Sequence, residues 1–178
     1  MKKESSNLLK VVALMAIALT FSLGNAFAED ITKAIAVLHS ASGSKVTGTV
    51  TFTKTNDTVL VVADITGLTP GKHAIHIHEF GDCSAADAST AGSHFNPTNK
   101  PHGAPDAAEH HAGDFGNLEA DSSGKAHLEL KSKDLKFSGE SSILGHAVIV
   151  HEKVDDYSQP VGNAGGRVAC GVIGIAKP

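Results

Sequence analysis

Two histidines lie one residue apart in the segment HIHEFGDC, residues 76–83. The apolar neighbours Ile75 and Ile77 predict a strand, in which successive side chains point to opposite faces. We therefore expect His76 and His78 to share one face and the two isoleucines to share the other. Two imidazoles side by side on one face are half of a metal-binding site.

Further residues of metal-binding type follow along the chain: His94, His102, His111, Asp114 and His151. The first four are spaced H-x7-H-x8-H-x2-D, and the last lies in the apolar run HAVIVHEK. Imidazole and carboxylate ligands together suit zinc and copper, whereas ligand sets made only of oxygen suit calcium and magnesium. One tetrahedral site cannot use all these residues, so we expect two metals or a shared ligand. Spacing alone leaves the choice between His110 and His111 open.

The elements that must position these residues are strands. We predict eight of them: residues 31–40, 45–53 and 58–65, the strand that carries His76 and His78, then residues 115–120, 125–131, 145–152 and 167–176. Their alternating apolar side chains and the turn residues between them indicate an all-β fold, an eight-stranded antiparallel Greek-key sandwich or flattened barrel. Residues 82–114 lack any such pattern, and a loop of that length needs a metal or a disulfide to order it.

The first 28 residues are a different kind of segment. They combine lysines at the start, an apolar run over 11–23 and an A-x-A sequence at 26–28. These features are typical of a signal peptide, because the apolar run is too short to span a bilayer; a retained membrane anchor is the alternative. Residues 29–178 are then one exported domain, with no membrane contact after cleavage.

Charge and cysteine content narrow the function further. Residues 1–28 hold three lysines and one glutamate, so the remaining chain has 12 basic and 18 acidic residues, a net charge of −6. This acidity argues against nucleic acid and anionic membranes as partners. The two cysteines, Cys83 and Cys170, make an even count, which favours a disulfide in an exported protein.

Five segments of the chain resemble the copper,zinc superoxide dismutase family: HAIHIHEFGD, AGSHFNP, HHAGDFGN, VIVHEKVDD and GNAGGRVACGVIGIA. The resemblance covers nearly all of residues 29–178. It implies the same Greek-key fold, with two long loops that carry functional residues. It also implies the reaction: superoxide is converted to oxygen and hydrogen peroxide by a copper ion that cycles between Cu(II) and Cu(I), next to a zinc ion.

The resemblance also implies a role for each site residue. The copper ligands are expected to be His76, His78, His94 and His151. The zinc ligands are expected to be His94, His102, His111 and Asp114. His94 would thus bridge both metals and donate a proton, Asp155 would hydrogen-bond a ligand of each metal, and Cys83 would be joined to Cys170.

Arg167 is the only arginine of the chain and lies three residues before Cys170. A guanidinium held near the metals can bind a small anion, so we expect Arg167 to attract superoxide. The segment 156–166 has no lysine or glutamate of its own. Steering of the substrate must then depend on Arg167 and on lysines elsewhere, such as Lys100 or Lys153.

The remaining expectations concern the cellular location and oligomeric state of the protein and the alternatives to a dismutase function. The position of Cys83, two residues after Gly81, is like that of bacterial members, which favours the periplasm over secretion. We expect a homodimer. A non-catalytic exported protein that buffers or delivers copper and zinc is the alternative, and the presence of His94 and Arg167 argues against it. A copper-only dismutase would lack the zinc ligands, and a zinc hydrolase would need a general-base carboxylate that is not evident here.

Overall fold

The eight expected strands all form in the computed structural model, which describes residues 30–178. Their bounds are Lys33–Ser40 (β1), Thr47–Thr55 (β2), Thr58–Thr66 (β3), Gly71–His78 (β4), Asp114–Ala120 (β5), Ala126–Ser132 (β6), Ala147–His151 (β7) and Arg167–Ile175 (β8). In the described part of the chain the only helix is a 3-10 turn, Ser89–Ala91. The expected signal peptide lies outside the described residues. Among residues 30–178, no helix is long and apolar enough to cross a membrane.

All pairs of neighbouring strands are antiparallel, in the order β5-β4-β7-β8-β1-β2-β3-β6. The connections β3–β4 and β6–β7 join strands that are not neighbours, which is the Greek-key feature of the fold. The end strands β5 and β6 are linked by a tight turn, in which Gly124 N donates to Asp121 O at 3.0 Å. The sheet therefore curls into a nearly closed barrel, as expected from the sequence.

The interior of the barrel is filled by small and branched side chains. Val50 and Phe52 of β2 are fully buried, while the alternate residues Thr49, Thr51 and Thr53 lie on the outer face, because side chains of a strand alternate. Phe52 meets Phe115 of β5 across the barrel, with ring centroids 6.4 Å apart. The core thus needs few aromatic residues, in keeping with a chain that has no tryptophan.

Strand β4 is buried on both faces over its last six residues. Ile75 and Ile77 pack into the apolar core, whereas His76 and His78 are covered by the long loops. The chain after β4 returns alongside it, and Phe95 N donates to Ile77 O at 2.8 Å. This backbone contact brings the loop residues into line with the histidines of the strand.

The loop that follows β4 is fixed at a second point by the disulfide between Cys83 and Cys170, which confirms the expected pairing. The two Cα atoms are 5.8 Å apart and the residues are 87 positions apart in sequence. Small apolar residues surround the disulfide, among them Ala88, Ala91 and Ile149. The 3-10 turn is thereby held against the outer side of β7 and β8.

Candidate metal centre

The structure brings the predicted metal-binding residues together in two buried groups. The first group comprises His76, His78, His94 and His151, and the second comprises His94, His102, His111 and Asp114. Within each group one potential ligand atom per residue lies within 4.8 Å of all the others. His94 is the residue that belongs to both groups. An antiparallel β-bridge between the backbones of His94 and His78 aligns the loop with β4 and so positions His94.

His76 has one ring nitrogen with a partner and one without. Its Nε2–H donates to Asp155 Oδ2 at 2.8 Å, so the lone pair is on Nδ1. That Nδ1 is buried and has no hydrogen-bond partner among the described residues. A buried polar atom without a partner is costly, and a metal ion in the first group would satisfy it.

His78 and His151 also present lone pairs to the first group. The Nδ1 of His78 donates to Gly92 O at 3.0 Å, and that of His151 lies 3.5 Å from Gly165 O. Both Nε2 atoms are then acceptors, and they lie only 3.3 Å apart. Two acceptors at this distance repel each other unless a cation lies between them, so this geometry fits a metal ion.

The second group is centred on the carboxylate of Asp114. The Nδ1 atoms of His94 and His102 lie 3.0 and 2.9 Å from its two oxygens, and Nδ1 of His111 lies 3.3 Å away. The backbone N–H groups of Gly103 and His111 donate to the same carboxylate at 3.1 and 2.9 Å. Three imidazoles and one carboxylate are a donor set typical of zinc.

The neighbouring histidines 110 and 111 have different environments. His111 contributes Nδ1 to the second group, 3.3 Å from His94 Nδ1. His110 is turned away: its Nδ1–H donates to the backbone oxygen of His111 at 2.8 Å, and its Nε2 is 3.8 Å from Asp134. The structure thus places His111 in the group and His110 outside it.

Burial and neighbouring charges set the protonation of these side chains. Burial, followed by the nearby histidines, lowers the pKa of His151 to about 3, and burial lowers that of His94 to about 4. Both rings are therefore neutral near pH 7, as metal ligands must be. Burial also disfavours a charged His102, but hydrogen bonds to Asp114 and Asp155 outweigh it and raise its pKa to about 9. Burial acts to raise the pKa of Asp114, but hydrogen bonds from His102, His111 and His94 hold it well below its usual range.

Asp155 forms a hydrogen bond with one histidine of each group. Its Oδ2 accepts from His76 Nε2–H at 2.8 Å and its Oδ1 accepts from His102 Nε2–H at 2.9 Å. Such a carboxylate fixes the orientation of both rings and makes them better ligands. The family resemblance alone predicts this role for Asp155, since no local pattern does.

Two residues that support the site were not identified from the sequence. Asn117 Oδ1 accepts from the backbone N–H of Asp155 at 2.7 Å, and Gln159 Nε2 donates to the backbone oxygen of His102 at 2.7 Å. The only local signal for Asn117 is its type, because asparagine is depleted in strands and this one lies in β5.

Comparisons with known proteins agree with this geometry. A profile of copper/zinc superoxide dismutases matches residues 46–173. An extracellular superoxide dismutase [Cu-Zn] from Brugia pahangi is 42% identical over 153 residues, which are 80% of this chain and 76% of that protein. The chain belongs to the copper/zinc superoxide dismutase family. Copper and zinc are accordingly its metals, and dismutation of superoxide is its reaction.

A solved structure supports the fold assignment for this dismutase. The crystal structure of the clock protein EA4 superimposes with a TM-score of 0.76 and 44% sequence identity. The similarity covers 83% of this chain and 96% of that one. The eight-stranded Greek-key barrel is therefore shared with a protein of known structure.

One side of the first group opens into a pocket of about 490 Å³. His78, His94 and His151 lie at its inner end, and Lys153 and Arg167 line its wall. The guanidinium of Arg167 is held by two backbone oxygens, those of Ala88 and Gly92, each at 2.6 Å. The loop anchored by the disulfide thus orients Arg167 in a dismutase pocket whose charged wall residues are both positive. Lys100 does not line this pocket.

The other histidines in residues 30–178 lie outside both groups: His39, His73, His110, His127 and His146. His73 is buried, and its Nδ1–H donates to the backbone oxygen of His151 at 3.0 Å. His73 thus has a structural role: it fixes the backbone of His151, a residue of the first group. His127 is an exposed residue that pairs with Asp64 at 2.7 Å.

Proposed function

We propose that the first group holds copper, that the second holds zinc, and that His94 is the ligand shared by both. The observation that carries this assignment is the membership of His94 in both groups. It is supported by the donor types: the first group offers only imidazoles, whereas the second adds the carboxylate of Asp114. The buried Nδ1 of His76 further supports a metal in the first group.

Bound copper supplies the redox chemistry, because it can alternate between Cu(II) and Cu(I), while zinc keeps one oxidation state and stabilises the site. In the balanced reaction, two superoxide ions and two protons give one oxygen and one hydrogen peroxide. With zinc held at Nδ1, which lies 3.0 Å from Asp114 Oδ1 in the second group, Nε2 of His94 would be the nitrogen that gives up one of these protons and takes it up again.

Arg167 binds the substrate in this proposal. Its guanidinium is fixed by the oxygens of Ala88 and Gly92 and faces the pocket that leads to the first group. Lys153 lies on the same wall and adds a second positive charge. A pocket with cationic walls concentrates a small anion and raises the rate at which it arrives.

Separate observations support the proposals for the cellular location and the oligomeric state of the chain. We propose export by the signal peptide of residues 1–28 to the periplasm, with secretion as the alternative; the Brugia pahangi relative is named extracellular.

We also propose a homodimer that covers two exposed apolar side chains, Phe80 and Val172, which flank Gly81. An exposed apolar surface of this kind is typical of an interface. Sedimentation should show a dimer for the wild type and a monomer for Phe80→Glu; a wild-type monomer would refute the interface.

The proposed function is tested by metal analysis and kinetics on the same samples. We expect one copper and one zinc per chain, with rapid consumption of superoxide. Arg167→Ala should keep both metals but lose about tenfold or more in rate, and its rate should depend less on ionic strength. Lys100→Ala, which removes a cation outside the pocket, is the matched control. Full metal content without turnover in the wild type would instead indicate a buffer or delivery protein.

A further inference from the structure

A second pocket, of about 400 Å³, borders the second group. It is enclosed by the loop before β5 and by the end of β6 with the turn that follows. Asp114, from the second group, is a buried residue of its lining, and no residue of the first group lines it. The Arg167 pocket reaches His78, His151 and the shared His94, but neither Asp114, His102 nor His111. Apart from His94, each pocket thus borders residues of one group only.

The charges of the two openings differ. In the Arg167 pocket the lining charges are Lys153 and Arg167, which repel a cation. The second pocket is lined by the accessible carboxylates of Asp106 and Asp134 and by the buried residue Asp114, together with His110 and two lysines, Lys131 and Lys133. A divalent cation therefore meets less repulsion in the second pocket and finds potential ligands along it.

Two of these potential ligands, His110 and Asp134, are placed to bind a cation transiently before it reaches Asp114. His110 donates from Nδ1 to the backbone of His111, so the lone pair of its Nε2 faces Asp134 Oδ2 across 3.8 Å. That gap is too long for a hydrogen bond, but zinc bonds of about 2.1 Å to each atom can span it. Asp134 also has Lys100 at 3.9 Å, a partly exposed ion pair that contributes little and can be exchanged.

We propose that the second pocket is the entrance through which zinc reaches and leaves its site, with His110 and Asp134 as transient ligands. This proposal rests on the assignment of zinc to the second group. It gives a function to His110, which lies outside both groups, next to a residue that belongs to one. It also means that the two metals load by different routes.

The test measures zinc uptake by metal-free protein in a stopped-flow instrument with a chromophoric zinc indicator, and zinc release to excess chelator. A double variant, His110→Ala with Asp134→Asn, removes the transient ligands, and Ser132→Phe fills the pocket from β6. Each should slow uptake and release by the same factor, about tenfold or more, because a route changes the barrier and not the equilibrium. His127→Ala, an exposed histidine of β6 outside this pocket, is the matched control.

Three results would overturn the proposal. Unchanged zinc rates in both variants would show that the metal enters elsewhere. Faster release with weaker equilibrium binding would show that His110 and Asp134 support the site itself. An equal slowing of copper uptake would show a general defect. His111→Ala separates the underlying assignment from the route, because tight binding of one zinc by that variant would refute the zinc site itself.

Discussion

Replacing Asp155 with asparagine tests the metal centre most directly. The carboxylate accepts one hydrogen bond from His76 and one from His102, at 2.8 and 2.9 Å, and is buried. Asparagine has the same shape but offers one acceptor and one donor. It can therefore accept from one ring only, and its NH₂ group opposes the N–H of the other. One histidine must then move or change its tautomer, which places N–H instead of a lone pair toward the metal.

The size of the effect follows from that single lost contact. Loss of a group that orients a ligand histidine costs about 10- to 100-fold in metal affinity, which corresponds to about 1.4 to 2.7 kcal/mol. Because Asp155 contacts one residue of each group, we expect weaker binding of both copper and zinc. A residue that served one metal alone would weaken only that metal.

The assay is competition between the protein and a chelator of known affinity, carried out separately for copper and for zinc. The matched control is Asp156→Asn, since Asp156 is exposed and its carboxylate contacts Ser158 and Asn163 but no residue of either group. The control should bind both metals as the wild type does. If Asp155→Asn kept the wild-type affinity for both metals, the proposed ligand orientation would be wrong.

Three further predictions concern stability. A chelator should lower the melting temperature, because ions bound only by the folded chain stabilise it, and an unchanged value would refute the two-metal site. Burial lowers the pKa of His102, but the contacts of His102 with Asp114 and Asp155 outweigh burial and raise this pKa to about 9. The protonated ring therefore stabilises the folded state. The metal-free protein should lose this stability as the pH rises from 6.5 to about 9. The same pH slope in His102→Asn would contradict this. Reduction of Cys83–Cys170 should cost up to about 4 to 5 kcal/mol, from the loop it closes, and should release the turn that holds Arg167. Melting temperature and activity should fall together, and a folded, reduced protein with full activity would refute the link.

The strands could be predicted because their residues alternate with the period of a sheet. In β2 the alternation of valine and phenylalanine with threonine predicts both the strand and its buried face. The ends are less certain in sequence: we predicted 45–53 where β2 is Thr47–Thr55, and 145–152 where β7 is Ala147–His151. Strand ends depend on turn hydrogen bonds to distant segments, such as that from Gly145 N to Ile173 O, which no local pattern contains.

The candidate site could be predicted in its ligand types but not in its orientation. His76 and His78 share a face because of strand geometry, and this is visible in the sequence. The pairing of Asp155 with His76 joins residues 79 positions apart, and that with His102 spans 53 positions. Without the family resemblance, no spacing rule selects Asp155 over Asp156, since only the fold shows which of the two is buried.

The net charge of the chain and the charge of its pocket act at different distances. Residues 29–178 carry 12 basic and 18 acidic residues, so a superoxide ion far away meets a weakly repulsive molecule. At physiological salt, however, charges beyond about 8 Å are largely screened. The field near the first group is then set by the wall of its pocket, where Lys153 and Arg167 lie. An acidic protein can thus attract an anion locally. Added salt should screen Lys153 and Arg167 and so slow the reaction. If the acidic surface set the rate instead, added salt would screen its repulsion and speed the reaction.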